Sequence, residues 1–288
     1  MKLFKNFKRK APMEIALHIA VSAVFMVIAI SYLYIIVWAF IAGLRTNSDI
    51  VMDPFGLPKI PNWRNYIYVF SLLEVEENNF VNMLFNSVWF SVLGVVIQQF
   101  TTIWFAYTCS KYTFPGSKLP YTIVLVMLTL PIYGSSGAIY KLYHSFGLVN
   151  SYAHVLASAS GFSIYFLYYT AFFKNLSWVY VEAAMIDGAD DFQTFFRVML
   201  PQTKPMFGAL FLTSWIGSWN NYESALVYLP KLPTLPVGIY QFYQEMIYRA
   251  RLDILFAACV LVSIPAIALF TIFNKTITTN VSVGGIKG

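Results

Sequence analysis

Six long apolar segments decide what the 288-residue chain can fold into. Each holds about 20 residues or more, the length that an α-helix needs to cross a bilayer. Lipid offers no hydrogen-bond partners, and a helix satisfies its own backbone within one such segment. The sequence therefore predicts an all-α membrane protein with six transmembrane helices, at about 15–44, 82–108, 119–140, 152–173, 206–229 and 252–273.

The overall composition agrees with a membrane domain. Charged residues make up 11% of the chain and hydrophobic residues 58%, whereas soluble domains carry about 25% charged residues. The first apolar segment is longer than a signal-peptide core of about 7–15 residues, so we expect a retained helix. The predicted organisation is an N-terminal tail 1–14, the first transmembrane helix 15–44, an external loop 45–81, a transmembrane core 82–273 and a C-terminal tail 274–288.

The net charge of +6 comes from basic residues that gather on one side of the predicted membrane domain. Twelve of the 19 lysines and arginines lie in the two tails or in 109–118 and 174–205, against seven in the other connections. Basic residues favour the cytoplasmic side of a membrane protein. Both termini and the connection 174–205 are therefore predicted to be cytoplasmic. The basic residues form no nucleic-acid recognition surface, and no nucleic-acid partner is expected.

Residues 175–205 form a polar, amphipathic connection between the fourth and fifth apolar segments. Gly188 permits a backbone reversal that a residue with a side chain resists. Asp190, with Gln193 three residues later, is an Asp-led variant of a capping box and opens a second helix. We expect that helix to end at Leu200-Pro201. The pattern predicts a short helix–turn–helix lying along the membrane surface.

The side chains of 175–205 indicate a contact surface. Ala183 and Ala184 allow close approach by a partner, and Phe192, Phe195 and Phe196 can hold the element on the chain's own core. Four acids can pair with a partner or with Arg197: Glu182, Asp187, Asp190 and Asp191. The alternative is an ordinary connector resting among lipid headgroups, for which four acids are a poor composition where the lipid is anionic.

The strings Glu182-Ala183-Ala184, Asp187-Gly188-Ala189 and Leu200-Pro201 resemble the EAA loop of bacterial ABC-importer permeases, the cytoplasmic element that docks onto an ATPase. From residue 15 to its end the chain resembles the carbohydrate-uptake permeases of the maltose-transporter type, specifically the shorter six-span subunit. Further strings carry this resemblance: Pro61-Asn62-Trp63-Arg64-Asn65-Tyr66, Asn86-Ser87, Phe114-Pro115-Gly116, Trp219-Asn220, Leu235-Pro236-Val237-Gly238 and Gly284-Gly285-Ile286-Lys287-Gly288.

The resemblance implies a type I ABC importer permease fold with a cytoplasmic coupling helix, in the inner membrane of a bacterium or archaeon. It implies three kinds of partner: a second permease subunit, two ATP-binding-cassette ATPase subunits or a homodimer of one, and an extracytoplasmic solute-binding protein. ATP and Mg²⁺ would bind to the ATPases, and no cofactor is expected in this chain, which contains no G-x-x-x-x-G-K-[ST] string. The implied ATPase-coupling residues are Glu182, Ala183, Ala184, Asp187, Gly188 and Ala189.

A candidate substrate pathway lies in the fifth apolar segment. Trp215, Trp219 and Tyr222 are spaced i, i+4, i+7 and share one helix face. Aromatic faces stack on the CH faces of sugar rings, and Asn220, Asn221 or Glu223 could bind hydroxyls. Alternatively, the aromatic stripe packs against neighbouring helices or lies at the outer interface. Glu223 either faces protein or water within the span or is exposed at the external mouth.

The expected function is that of a permease subunit of an ABC importer, moving a carbohydrate, most simply an oligosaccharide, by alternating access driven by ATP hydrolysis on partner subunits. Importers of other solutes also carry EAA loops, so a non-sugar solute is the alternative. An intramembrane enzyme would need paired carboxylates, a histidine cluster or a Ser/His arrangement, and a structural scaffold would not need the coupling strings.

Cys109 and Cys259 indicate neither a metal site nor a disulfide. Gln99 and its polar neighbours are expected to form hydrogen bonds between helices.

Overall fold

The structure, a computed structural model, describes residues 12–130 and 134–280, excluding the side chains of 12, 15 and 273–280. The described residues form helices and no β-strand, which confirms the all-α prediction. The α-helices are α1 Pro12–Gly43, α2 Asn47–Met52, α3 Arg64–Leu72, α4 Phe80–Val88, α5 Gly94–Lys111, α6 Leu119–Thr129, α7 Ser136–Ser145, α8 Ile164–Asn175, α9 Val179–Ile186, α10 Asp191–Gln193, α11 Leu200–Gln202, α12 Lys204–Asn220, α13 Tyr222–Tyr228, α14 Leu235–Tyr248 and α15 Leu252–Asn280. Two π-helical segments, Trp89–Leu93 and Thr194–Met199, and a 3₁₀-helix, Tyr152–Ser158, complete the set.

Three of the predicted spans are helices long and apolar enough to cross a membrane. They are Ala16–Gly43, Phe80–Lys111 and Leu252–Ile272. The second of them runs from α4 through the π-helical segment Trp89–Leu93 into α5 without a break. In the first, second and sixth segments, therefore, apolar length did predict a single helix.

The other three predicted spans are interrupted within the residues that the structure describes. In the third, Pro131, Gly134 and Gly137 predict such a break from the sequence, whereas in the fourth and fifth no break was predicted. In the third, α6 ends at Thr129, and Leu130 is extended, as expected for a residue before proline. In the fourth, a 3₁₀-helix precedes α8. In the fifth, Asn221 leaves helical geometry, and its Oδ1 accepts a hydrogen bond from Ser224 N at 3.0 Å, so it caps a new helix, α13.

The first of two compact units comprises the residues up to Leu72 together with Tyr243–Leu261. Here the loop string 61–66 completes the end of α1, whose last carbonyls have no partner within the helix. Buried Asn65 donates through Nδ2 to the carbonyls of Gly43 and Arg45, at 3.0 and 2.9 Å. Tyr66 Oη donates to Phe40 O at 2.9 Å. Residues 61–66 therefore cap the C-terminal end of α1 in addition to forming part of the surface.

The second unit comprises Leu73–Phe242 together with the residues from Val262 onward. One core cluster joins α5, α6, α8, α9 and the second π-helical segment: Ile103, Ala106, Tyr107, Val124, Phe166, Tyr169, Phe173, Val181, Phe195 and Met199. Beside the cluster, buried Gln99 accepts a hydrogen bond from Tyr169 Oη and donates one to Ser214 Oγ, both at 2.8 Å. The predicted inter-helix hydrogen bonding of Gln99 is thereby confirmed.

Candidate functional site

The segment 175–205, called the coupling element below, reverses direction at Gly188. This glycine has φ +82°, a left-handed conformation that side-chain-bearing residues resist. Gly188 N donates to Met185 O at 3.0 Å, and Ala189 N donates to Ala184 O at 2.9 Å. This pair of bonds is a Schellman motif and closes α9. The sequence prediction of a reversal at Gly188 is confirmed.

The second helix of the coupling element begins at Asp190, as predicted. Asp190 Oδ1 accepts a hydrogen bond from Gln193 N at 2.7 Å. The helix runs without a break from Asp191 to Gln202, one residue beyond the predicted end at Leu200-Pro201. The chain then bends at buried Thr203, whose Oγ1 donates to Leu200 O at 2.7 Å before α12 begins.

One face of the coupling element is fixed in the core of the second unit. Phe195 and Met199 are 3% and 0% exposed. The indole of Trp104 in α5 lies 5.0 Å from the Phe195 ring and 5.4 Å from the Phe192 ring, between centroids. The predicted attachment through phenylalanines is confirmed.

The opposite face of α9 is open to solvent. It carries the exposed side chains of Glu182, Ala183, Met185, Ile186 and Asp187. Ala184 points inward and is 7% exposed, so of the two alanines predicted to receive a partner only Ala183 lies on this face. Ile186, which the sequence analysis did not single out, is 86% exposed and gives the tip an apolar contact point.

The four acids of the coupling element divide into two groups. Asp190 caps its helix, and Asp191 Oδ1 accepts a hydrogen bond from Tyr112 Oη at 2.7 Å. Glu182 and Asp187 are exposed on the open side of the turn. Within the described ranges, the ion pairs are Arg249–Glu245 and Arg251–Asp253, so none of the four acids pairs with Arg197.

A polar cavity of about 400 Å³ opens within the second unit. Its described lining carries hydroxyl, amide, imidazole and apolar groups but no Asp, Glu, Lys or Arg. The lining residues are Phe90, Gly94, Val95, Gln98, Ile139, Tyr143, His154, Ala157, Ser158, Tyr165, Ser214, Gly217, Ser218, Asn221, Ser224 and Tyr228. The volume falls in the range of about 300–1,000 Å³ typical of small-molecule sites.

Aromatic rings form one wall of the polar cavity. His154 stacks between Phe90 and Tyr228, with centroid distances of 5.6 and 5.3 Å, and Tyr143 meets it edge-on at 5.4 Å. His154 Nδ1 lies 3.2 Å from Leu148 O, so Nδ1 carries a proton and donates it to that carbonyl. The stack and this hydrogen bond fix the orientation of the wall.

The five predicted pathway residues lie outside the lining of the polar cavity. Trp215 and Trp219 are 1% and 4% exposed, and Trp215 Nε1 donates to Ser91 Oγ at 3.0 Å. Tyr222 stacks on Tyr240 at 4.8 Å. Asn220 and Glu223 are exposed. The two tryptophans are thus packed among helices, as the alternative interpretation expected, and a role of these five residues in transport stays a prediction.

A different face of the same segment lines the cavity, and of its residues only Asn221 was proposed from the sequence as a binder of hydroxyls. Ser214, Gly217, Ser218, Asn221 and Ser224 line the cavity at spacings of three or four residues. Such spacing places side chains on one helix face. Small polar residues repeating at this spacing in an otherwise apolar segment could have predicted a polar helix face that lines a cavity.

A family model described as the binding-protein-dependent transport system inner membrane component matches residues 102–283, which include the whole coupling element. The chain belongs to this family. The permease is therefore a membrane-integral subunit of an ABC importer, a class of subunit that lacks an ATPase of its own and works with ATPase and solute-binding partners.

Two relatives match nearly the whole permease. It is 26% identical over 285 residues to the arabinooligosaccharides transport system permease protein AraQ of Bacillus subtilis (strain 168), covering 97% of the permease and 99% of the relative. It is 28% identical over 256 residues to the diacetylchitobiose uptake system permease protein NgcG of Streptomyces coelicolor (strain ATCC BAA-471 / A3(2) / M145), covering 87% and 82%.

A solved structure shares the fold of the permease. It is a bacterial ABC transporter involved in the import of the acidic polysaccharide alginate, with a TM-score of 0.75 and 21% identity. The match covers 92% of the permease and 98% of the other chain. The fold is accordingly that of an ABC importer permease.

Proposed function

We propose that the permease imports an uncharged carbohydrate, most simply an oligosaccharide, by alternating access driven by ATP hydrolysis on partner subunits. The observation that carries the proposal is the lining of the polar cavity. Tyrosine rings at positions 143, 165 and 228 offer flat apolar faces, and Gln98, Ser218 and their neighbours offer hydrogen bonds. A sugar presents the same two kinds of surface, CH faces and hydroxyl edges.

The lining argues against charged solutes. A buried charge is costly unless it is paired or well hydrogen-bonded. An amino acid zwitterion or an oxyanion would therefore favour a cavity that offers a charged partner, whereas the described lining carries no Asp, Glu, Lys or Arg. Hydroxyl groups need only neutral donors and acceptors. The names of AraQ and NgcG, both for oligosaccharide uptake, support the same class of substrate for the permease.

The coupling element is proposed to dock onto an ATPase through its open face. Ile186 supplies an exposed apolar tip, Ala183 leaves room for a partner's surface, and Glu182 and Asp187 supply charge. ATP is cytoplasmic, so this face must be cytoplasmic too. We infer six spans with both termini in the cytoplasm, a second permease subunit, and two ATPase subunits or a homodimer of one.

The proposal is tested with the complete transporter in proteoliposomes, together with its binding protein. Uptake of labelled neutral oligosaccharides should be ATP-dependent and binding-protein-dependent. Labelled amino acids, an inorganic oxyanion and a uronic-acid oligosaccharide serve as comparisons of different charge. Accumulation of one of these charged solutes, with no uptake of any neutral oligosaccharide, would refute the proposed substrate class.

A further inference from the structure

The C-terminal end of α5 makes polar contacts with the coupling element at two places, Leu176 and Asp191. At the first, Lys111 Nζ donates to Leu176 O, the carbonyl of the residue that ends α8. The same ammonium lies 6.0 Å from the centroid of the Trp178 ring. These contacts hold the start of the coupling element.

At the second place, Tyr112 Oη donates to Asp191 Oδ1 at 2.7 Å, 79 residues further along the chain. The Tyr107 hydroxyl lies 3.3 Å from the Tyr112 hydroxyl and extends the chain of polar groups. Burial, together with the hydrogen bonds to Tyr107 and Asp191, raises the pKa of Tyr112, so its hydroxyl stays protonated and remains a donor. Asp191 belongs to the first turn of the second helix of the coupling element.

The other part of α5 forms a wall of the polar cavity. Gly94, Val95 and Gln98 line the cavity, and the α-helix is unbroken from there to Lys111. With a rise of about 1.5 Å per residue, Gln98 and Lys111 are about 20 Å apart along the axis. One rigid helix therefore connects the contacts with the coupling element to the lining of the cavity.

We propose that Lys111 and Tyr112, together called the α5 clamp, are positioning residues that make α5 move with the coupling element and so transmit its displacement to the cavity wall. The inference rests on the proposed function, since it assigns a route between ATPase docking and substrate passage. The chain itself joins the coupling element to α8 and α12. The α5 clamp adds polar contacts to α5, a helix that is remote from the coupling element in sequence and already packs on it through Trp104.

Variants of Asp191 distinguish the α5 clamp from an alternative in which Asp191 forms an ion pair with the ATPase. If Asp191 acts through Tyr112, the acceptor oxygen matters and the charge does not. Asp191→Asn keeps an oxygen that can accept from Tyr112 Oη, whereas Asp191→Ala and Tyr112→Phe each remove the hydrogen bond. If Asp191 instead pairs with a basic residue of the ATPase, Asp191→Asn should be as harmful as Asp191→Ala, and Tyr112→Phe should be harmless.

The experiment measures solute uptake and binding-protein-stimulated ATP hydrolysis with the complete complex in proteoliposomes. We expect Tyr112→Phe and Asp191→Ala each to lower uptake per ATP hydrolysed by about fivefold or more, the usual lower end of coupling between sites. The double variant should be no worse than either single variant, because both remove one interaction. Asp191→Asn should stay close to wild type, and Lys111→Met should lower the same ratio.

Tyr168→Phe is the matched control, since it removes the same atom from an exposed tyrosine of α8. Co-purification of the ATPase with each variant checks that docking is intact. The α5 clamp would be refuted if Tyr112→Phe transports as much solute per ATP as the wild type, or if the losses of the two single variants add in the double variant. The proposed function would still stand in that case, provided that the wild-type complex transports a neutral sugar. If the wild-type complex transports no neutral sugar, the proposed function is wrong, and the α5 clamp is then judged on the solute that is transported.

Discussion

Gly217 gives the sharpest test of the polar cavity. It lies in α12 and lines the cavity, and a Cβ built on it meets no atom within 4 Å. Gly217→Leu adds four carbon atoms, and at roughly 30 Å³ each, the share of a water molecule, they fill about 120 Å³. That is close to a third of the cavity of about 400 Å³. The helix itself should gain stability, because leucine is favoured over glycine by up to about 1 kcal/mol.

The expected result is loss of uptake with an intact protein. One methylene more or less in a substrate pocket changes the rate by about 10- to 200-fold, so we expect a larger side chain that narrows the cavity to lower uptake by at least about tenfold. Basal ATP hydrolysis and melting temperature of the purified complex should not fall. Gly137→Leu is the control, because Gly137 of α7 is exposed, lies outside the cavity lining and has equal room for a side chain. Wild-type uptake by Gly217→Leu would show that substrate passes elsewhere.

Three further predictions concern topology, the turn and the core. After replacement of the native cysteines, a cysteine at Lys231 should react with an impermeant thiol reagent from outside, and one at Asp190 only after the membrane is opened; the reverse pattern contradicts the orientation. Gly188→Ala should weaken ATPase co-purification and uptake, because it strains the left-handed backbone by about 1–2 kcal/mol. Gly188→Asn should have a milder effect, because asparagine tolerates left-handed geometry. Equal losses in the two variants would show that position 188 needs a small residue for close approach by the ATPase rather than for the turn. Trp215→Ala and Trp219→Ala should each destabilise the complex by about 3–5 kcal/mol, measured as a lower melting temperature. Loss of uptake without a change in melting temperature would instead indicate that these tryptophans line the substrate pathway.

Local chemistry made the coupling element predictable. A left-handed turn at Gly188 and a cap at Asp190 depend on the side chains of a few consecutive residues, and both formed as expected. The burial of Ala184 was not predictable in this way, since it depends on which face of α9 meets the core. The exposure of Ile186 was missed for the same reason.

Which face of α12 lines the cavity depends on tertiary contacts, and the sequence did not predict it. The tryptophans of α12 and the small polar residues of the same helix form two stripes, and helical phase does not say which stripe faces a cavity. The structure buries Trp215 against Ser91 and turns Ser214, Ser218 and Asn221 toward the cavity. Apolar length likewise predicted six segments but did not show that Asn221 would cap a second helix inside one of them.

The described lining of the polar cavity carries no charged side chain, and this has an electrical consequence. Moving one elementary charge through a membrane potential of 100 mV changes its free energy by about 2.3 kcal/mol. A neutral solute held by neutral groups carries no such charge, so the voltage across the membrane neither draws it inward nor opposes it. Accumulation would then be governed by the phosphorylation potential of ATP alone, and collapsing the membrane voltage with an ionophore at fixed ATP should leave the rate of uptake unchanged.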